Sequence, residues 1–181
     1  MHKREQYRPT STGRLINRII PSSRGHLFAA EHPPSRDSVV SNDRILWILH
    51  PRGENVVASI APANLQVLLL DGSWREAARM TQTVAPWGRL VRLPMNDPSR
   101  YWLRKQQGEE SYSTIEALLV LLATFELKQE EALLRLQFEL HVYAGLRSRG
   151  AIKMAEDFLA SSPLPAARPA LLAQLQQRQS G

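Results

Sequence analysis

The residues able to do chemistry in this chain gather in one short stretch, residues 68–80, LLLDGSWREAARM. Asp71 closes an unbroken apolar run, residues 67–70, and is followed by Gly72, Ser73 and Trp74. Such a run reads as a strand covered on both faces of a parallel sheet. Ser73 with Glu76 three residues later forms a capping box, which makes Ser73 an N-cap and starts a helix. Asp71 is therefore expected at the carboxyl end of an inner strand, beside a helix N-terminus. Ligands of open α/β sheets bind at that edge. Free backbone N–H groups at the helix start favour negative charge there. The chemistry on offer is a proton-accepting carboxylate next to an anion-friendly turn.

Other elements must hold this turn in place. Leu15, Ile16, Ile19 and Ile20 give one apolar helical face, which Pro21 closes, behind a Thr10-Ser11-Thr12-Gly13-Arg14 start. Ser11 or Thr12 is the natural N-cap of that helix. Residues 26–30 suit a short strand, and 31–43 a turn-rich loop. RILWILH, residues 44–50, is a second buried strand, ending in the turn 51–55. Residues 89–93 make a further strand. Asp97-Pro98 has the form of an N-cap with proline at N1, opening a helix over 97–107. On it Arg100, Tyr101, Trp102, Arg104 and Lys105 interleave charge with flat rings, the combination that single-stranded RNA contacts use. A solvated basic face with a buried aromatic is the competing reading. A second capping box, Ser113 with Glu116, opens an apolar helix over 114–125. An amphipathic helix over 128–149 and a shorter one over 151–160 follow. Residues 161–169 read as a linker and 170–179 as a terminal helix.

Composition narrows the function. With 23 Lys+Arg against 17 Asp+Glu, the chain carries a net charge of +6, which favours an anionic partner, nucleic acid first. The absence of cysteine excludes disulfides, thiolate zinc sites and cysteine nucleophiles. No histidine pair has ligand spacing, so no metal is expected. The sequence has no glycine-rich nucleotide loop and no serine-hydrolase elbow. It has no apolar run of about 18 residues and no signal-peptide pattern, so a soluble cytoplasmic protein without a membrane partner is expected.

Four blocks then align with a known family. RPTSTGRL (8–15), HPRGEN (50–55), DGSW (71–74) and YSTIEA (112–117), with RYWLR (100–104) between the last two, occur in the order of the DTW-domain family. The chain resembles that family, with serine at Ser73 where the motif has threonine. The resemblance implies an α/β fold: a parallel sheet with flanking helices, a SPOUT-like knotted cofactor site and a C-terminal helical extension. It places the domain at 1–160, without the family's first strand and N-terminal zinc cluster, and a linker and terminal helix at 161–181. It implies transfer of the 3-amino-3-carboxypropyl group of S-adenosylmethionine to N3 of a tRNA uridine. The catalytic motif would be Asp71, Ser73 and Trp74, with Asp71 as general base. Trp74 would pack under the turn or, alternatively, serve as a base-stacking platform. His50, Pro51, Gly53, Asp71, Gly72, Leu93, Met95, Ser113 and Thr114 would hold the cofactor. Arg14, Arg100, Tyr101, Arg104 and Lys105 would contact RNA, with Arg14, Arg100 and Arg104 also suited to the cofactor carboxylate. A SPOUT-like methyltransferase and a noncatalytic RNA-binding protein are the competing functions. The target uridine, the tRNA and the oligomeric state are open.

Overall fold

The computed structural model describes residues 1–4, 7, 11–56, 60–104 and 112–177. Its centre is β1 (Ile45–Asn55), a run rich in β-branched and aromatic residues. β2 (Leu65–Leu68) and β3 (Arg89–Arg92) flank it, both parallel to it, in the order β2-β1-β3. β1 is thus the inner strand and β2 an edge strand of the described sheet, the reverse of the sequence expectation for the Asp71 strand. β2 also stops at Leu68, three residues short of Asp71.

Alternation along β1 sends side chains to two faces. Trp47, 2% exposed, joins the larger core with Leu15, Ile16, Ile115 and Phe138, and its ring stacks obliquely on Phe125 at 5.8 Å. Leu46 and Ile48 face the other way, into a smaller core with Val39, Val40 and Val84. The helices follow from this division. The larger core lies under α1 (Gly13–Ile19), α4 (Thr114–Thr124) and α5 (Lys128–Ser148). The smaller one lies under the short α2 (Arg36–Val39) and α3 (Trp74–Val84).

Three segments depart from expectation. First, β1 runs through residues 51–55, which read as a turn. Leu49 and Glu54 both pair with Val91, so 50–53 bulge out of the ladder and the strand then rejoins it. Glycine permits the return: a Cβ on Gly53 would stand 2.5 Å from the backbone nitrogen of Val91. Second, residues 97–104 form no helix. Lys105 and the rest of the expected helix, to 107, lie outside the described residues. Third, residues 26–30 give only isolated bridges, His2 with Phe28 and Ala29 with His32. Met1–Lys3 runs beside Phe28, and the His2 N–H donates to the Asp71 carbonyl at 2.8 Å.

The C-terminal part packs back on the core. α6 (Ile152–Ala160), α7 (Leu164–Ala167) and α8 (Pro169–Gln177) bury Phe158, Leu164 and Leu172 in the larger cluster. The segment read as a linker therefore contains a helical turn and a fully buried leucine, Leu164. No helix among the described residues is long and apolar enough to cross a membrane.

Candidate active site

Parallel strands release their carboxyl ends on one edge, and the motif blocks meet there. His50–Gly53 bulges beyond the β1–β2 pairing, Asp71 lies three residues past β2, and Leu93 follows β3 directly. The start of α4 completes the edge.

Asp71 ties these parts together. Its side chain is buried, 9% exposed. The Ser11 hydroxyl donates to Oδ2 at 3.2 Å and the Thr114 hydroxyl to Oδ1 at 2.9 Å. One carboxylate thus links segments 60 and 43 residues away in sequence. The first contact explains α1: its N-cap position, Thr12, makes no side-chain cap, and Ser11 spends its hydroxyl on Asp71 rather than on the helix. It also explains Gly13, where a Cβ would stand 2.6 Å from Asp71 Oδ2. A carboxylate has about four acceptor positions, so two hydroxyls leave Asp71 capacity for a further proton or donor.

Two capping boxes frame this carboxylate. Ser73 N–H donates to Glu76 Oε2 at 2.8 Å while Glu76 N–H donates back to Ser73 Oγ at 3.4 Å. The other Glu76 oxygen stands 3.1 Å from His2 Nδ1. In α4, Ser113 N–H donates to Glu116 Oε2 at 2.7 Å and Glu116 N–H returns to Ser113 Oγ at 3.3 Å. Glu116 does more than cap. It also accepts the Ser99 hydroxyl at 2.9 Å and the Arg100 N–H at 2.7 Å. This second use of Glu116 has no sequence signature beyond the capping box itself.

These bonds account for the missing helix at 97–104. The Arg100 amide is given to Glu116, and the Asp97 carbonyl accepts the Tyr112 hydroxyl at 3.0 Å. Backbone groups that an α-helix would pair with each other are committed to tertiary partners. The same segment shows where the expected RNA contacts went. The Arg100 guanidinium makes a two-pronged pair with Glu139 on α5, Nε to Oε1 at 2.6 Å and Nη2 to Oε2 at 2.7 Å. It also lies 4.4 Å from the Phe158 ring centre. Tyr101 is 7% exposed and packs against Phe138 at 6.2 Å. Arg104 sits half-buried, 5.9 Å from the Tyr101 ring centre. Arg100 and Tyr101 are therefore part of the interior frame: the buried aromatic of the competing reading is present, but Arg100 is paired inward with Glu139 and is not part of a solvated basic face.

The remaining expected residues divide by environment. Pro51 is exposed and His50, Gly53, Gly72, Ser113 and Thr114 are half-buried along the edge. His50 Nδ1 accepts the Arg52 N–H at 3.1 Å, and burial, then the Arg52 charge, pushes the imidazole below its usual pKa. Leu93 is buried and Met95 packs against the larger core, so these two offer only backbone to a ligand. The N–H groups of Met95 and Asn96 donate to no other described residue. Arg14 is exposed next to Gly13. Trp74, the first residue of α3, is 45% exposed, more open than the reading that packs it under the turn implies. Among the described residues no group of three or more His, Cys, Asp or Glu side chains could hold a metal ion.

Compared with known families, residues 1–144 match the DTW domain model. That span includes all four sequence blocks and nearly all of α5. No solved structure matches the chain.

Proposed function

The chain belongs to the DTW-domain family, and from that premise we propose that it modifies tRNA, transferring the 3-amino-3-carboxypropyl group of S-adenosylmethionine to N3 of a uridine. The observation that carries this reading is the convergence on Asp71. Family blocks at Ser11–Gly13, Asp71–Ser73 and Ser113–Thr114 serve one buried carboxylate at the ligand edge of a parallel sheet.

The residues along that edge suit such a donor molecule. The N–H groups of Met95 and Asn96 donate to no other described residue. The Gly53 bulge brings backbone close to Val91 beside them. Arg14, exposed and one residue from the Asp71 contact at Gly13, suits the carboxylate of the methionyl part. When bound, S-adenosylmethionine supplies a methylene carbon activated by the neighbouring sulfonium. The protein's tasks are position and proton. Uridine N3 is a poor nucleophile until its proton leaves, and Asp71 is the group at this edge with lone pairs to receive it. Ser11 and Thr114 hold the carboxylate in one orientation, so N3 meets a fixed acceptor rather than a rotating one. The start of α3 adds a favourable dipole for the negative charge on Asp71. A SPOUT-like arrangement of the donor site belongs to the same reading.

The test is mass spectrometry of tRNA nucleosides after incubation of unmodified tRNA with the protein and S-adenosylmethionine. Aminocarboxypropyluridine with methylthioadenosine is the expected product pair. Methyluridine with S-adenosylhomocysteine would turn the reading to a methyltransferase. Unchanged tRNA that still binds would leave an RNA-binding protein.

A further inference from the structure

We propose that the outer face of α3, formed by Trp74, Arg75 and Arg79, is a contact surface for single-stranded RNA, with the Trp74 indole stacked on a base beside the reacting nucleotide. This rests on the reading of the site as tRNA-modifying and extends it to how the RNA is gripped.

α3 is divided sharply. Glu76, Met80 and Val84, four residues apart, form its buried stripe. Trp74, Arg75, Ala78, Arg79 and Gln82 form the exposed face. The acidic side chain of this helix, Glu76, is turned inward into the cap and is 8% exposed, so the outer face carries positive charge alone. Neither Arg75 nor Arg79 has an ion pair or hydrogen bond to a described residue, in contrast to Arg100, Arg89 and Arg135. The two guanidiniums are one helical turn apart, about 6 Å along the axis. Trp74 is the first residue of α3, three positions after Asp71, and nearly half of it is open to solvent. A large apolar ring left exposed beside two cations that have no partner among the described residues is suited to a partner that offers both flat rings and negative charge.

The chemistry of the reaction selects the form of RNA. N3 of uridine lies on the Watson–Crick edge and is occupied in a duplex. The reacting nucleotide must therefore be unpaired, and its neighbours lose part of their stacking. The Trp74 indole replaces that lost stack, and the arginines take the flanking phosphates.

The experiment measures binding of the full chain to an unmodified tRNA transcript across a salt series, with a fully paired RNA duplex as competitor. Trp74→Ala should weaken tRNA binding about 5- to 150-fold, while Trp74→Phe should keep most of the affinity. The Arg75→Ala/Arg79→Ala variant should lower the log–log salt slope by about 1.4, two contacts at about 0.7 each. The duplex should compete poorly. Calorimetric binding of S-adenosylmethionine should be unchanged in all three variants. Parental tRNA affinity in Trp74→Ala, or an unchanged salt slope in the double variant, overturns the proposal while leaving the tRNA-modifying reading intact. Loss of S-adenosylmethionine binding in Trp74→Ala with intact tRNA binding also overturns it, assigning Trp74 to the donor site. A parental protein with no affinity for tRNA overturns both.

Discussion

Two segments of this molecule mix arginine with aromatic rings, and they have opposite fates. At 100–104 the mixture is knitted into the interior: Arg100 pairs with Glu139, which is 1% exposed, and Tyr101 lies against Phe138. At 74–79 it stands open: Trp74 is 45% exposed, and Arg75 and Arg79 carry no internal partner among the described residues. The deciding difference is a carboxylate supplied from far away in sequence. Glu139 sits 39 residues beyond Arg100, on the face of α5 that meets the turn. Among the described residues no acid from another element pairs with Arg75 or Arg79. Both segments combine the charge and flat rings that an RNA contact would use, and the carboxylate across the fold decides which one stays exposed.

The largest effect that separates the two segments is on stability. Arg100→Ala leaves a buried carboxylate without its counter-charge, which costs about 3–5 kcal/mol. Thermal and denaturant unfolding of this variant should show that loss. A stable Arg100→Ala protein with weakened tRNA binding would reverse the assignment. Next comes the open segment, where Trp74→Ala should change tRNA affinity about 5- to 150-fold with little change in melting temperature.

The contrast also marks what was legible in the sequence. Signals confined to a few residues came through. Ser73–Glu76 and Ser113–Glu116 form the capping boxes that their spacing announces, so α3 and α4 begin where those patterns place them, and α5 begins where its amphipathic pattern does. The Ile45–Ile48 strand is legible for the same reason, as a run of β-branched and aromatic residues. Signals that depend on distant partners did not come through. Asp97-Pro98 has good local credentials for a helix start, but Glu116 takes the Arg100 amide and Tyr112 takes the Asp97 carbonyl. The apolar run before Asp71 suggested an inner strand, yet the strand ends at Leu68 and, among the described residues, pairs on one side only. Of the site itself, Asp71 and Thr114 were visible as motif residues. The bond between them, and the part played by Ser11 and Gly13, required the folded chain.

Smaller effects sharpen the contrast further. Ser113→Ala should cost on the order of 1 kcal/mol through the lost cap. It should also loosen the Ser99–Arg100 turn, because Glu116 holds both. Ser73→Ala should cost a similar amount while leaving that turn intact. Hydrogen exchange at the Arg100 and Tyr101 amides distinguishes the two: faster in Ser113→Ala, unchanged in Ser73→Ala.

The smallest effect is a pH dependence on the interior side. His141 on α5 is held below its usual pKa, by burial first and then by the charges of Arg149 and Arg18, and its Nε2 is buried without a hydrogen-bond partner among the described residues. A histidine depressed in the folded state binds its proton more readily when unfolded. Stability should therefore hold above an unfolded pKa of about 6.5 and decline as pH falls below it. His141→Gln should flatten that decline in melting temperature between neutral and mildly acid pH. An identical profile in the variant would show that His141 does not set this pH dependence.

Asp71 is proposed to accept the N3 proton at the point where three segments meet. Asp71→Asn preserves the size of the side chain, and its amide can still bond to the Ser11 and Thr114 hydroxyls, but it cannot act as the base. Single-turnover formation of aminocarboxypropyluridine is the measurement, made with calorimetric S-adenosylmethionine binding and thermal melting on the same preparation. A rate lowered by about 10²–10⁴-fold, with donor affinity and fold retained, is the predicted result. A folded Asp71→Asn protein that reacts at the parental rate would contradict the claim and leave Asp71 as a purely structural tie.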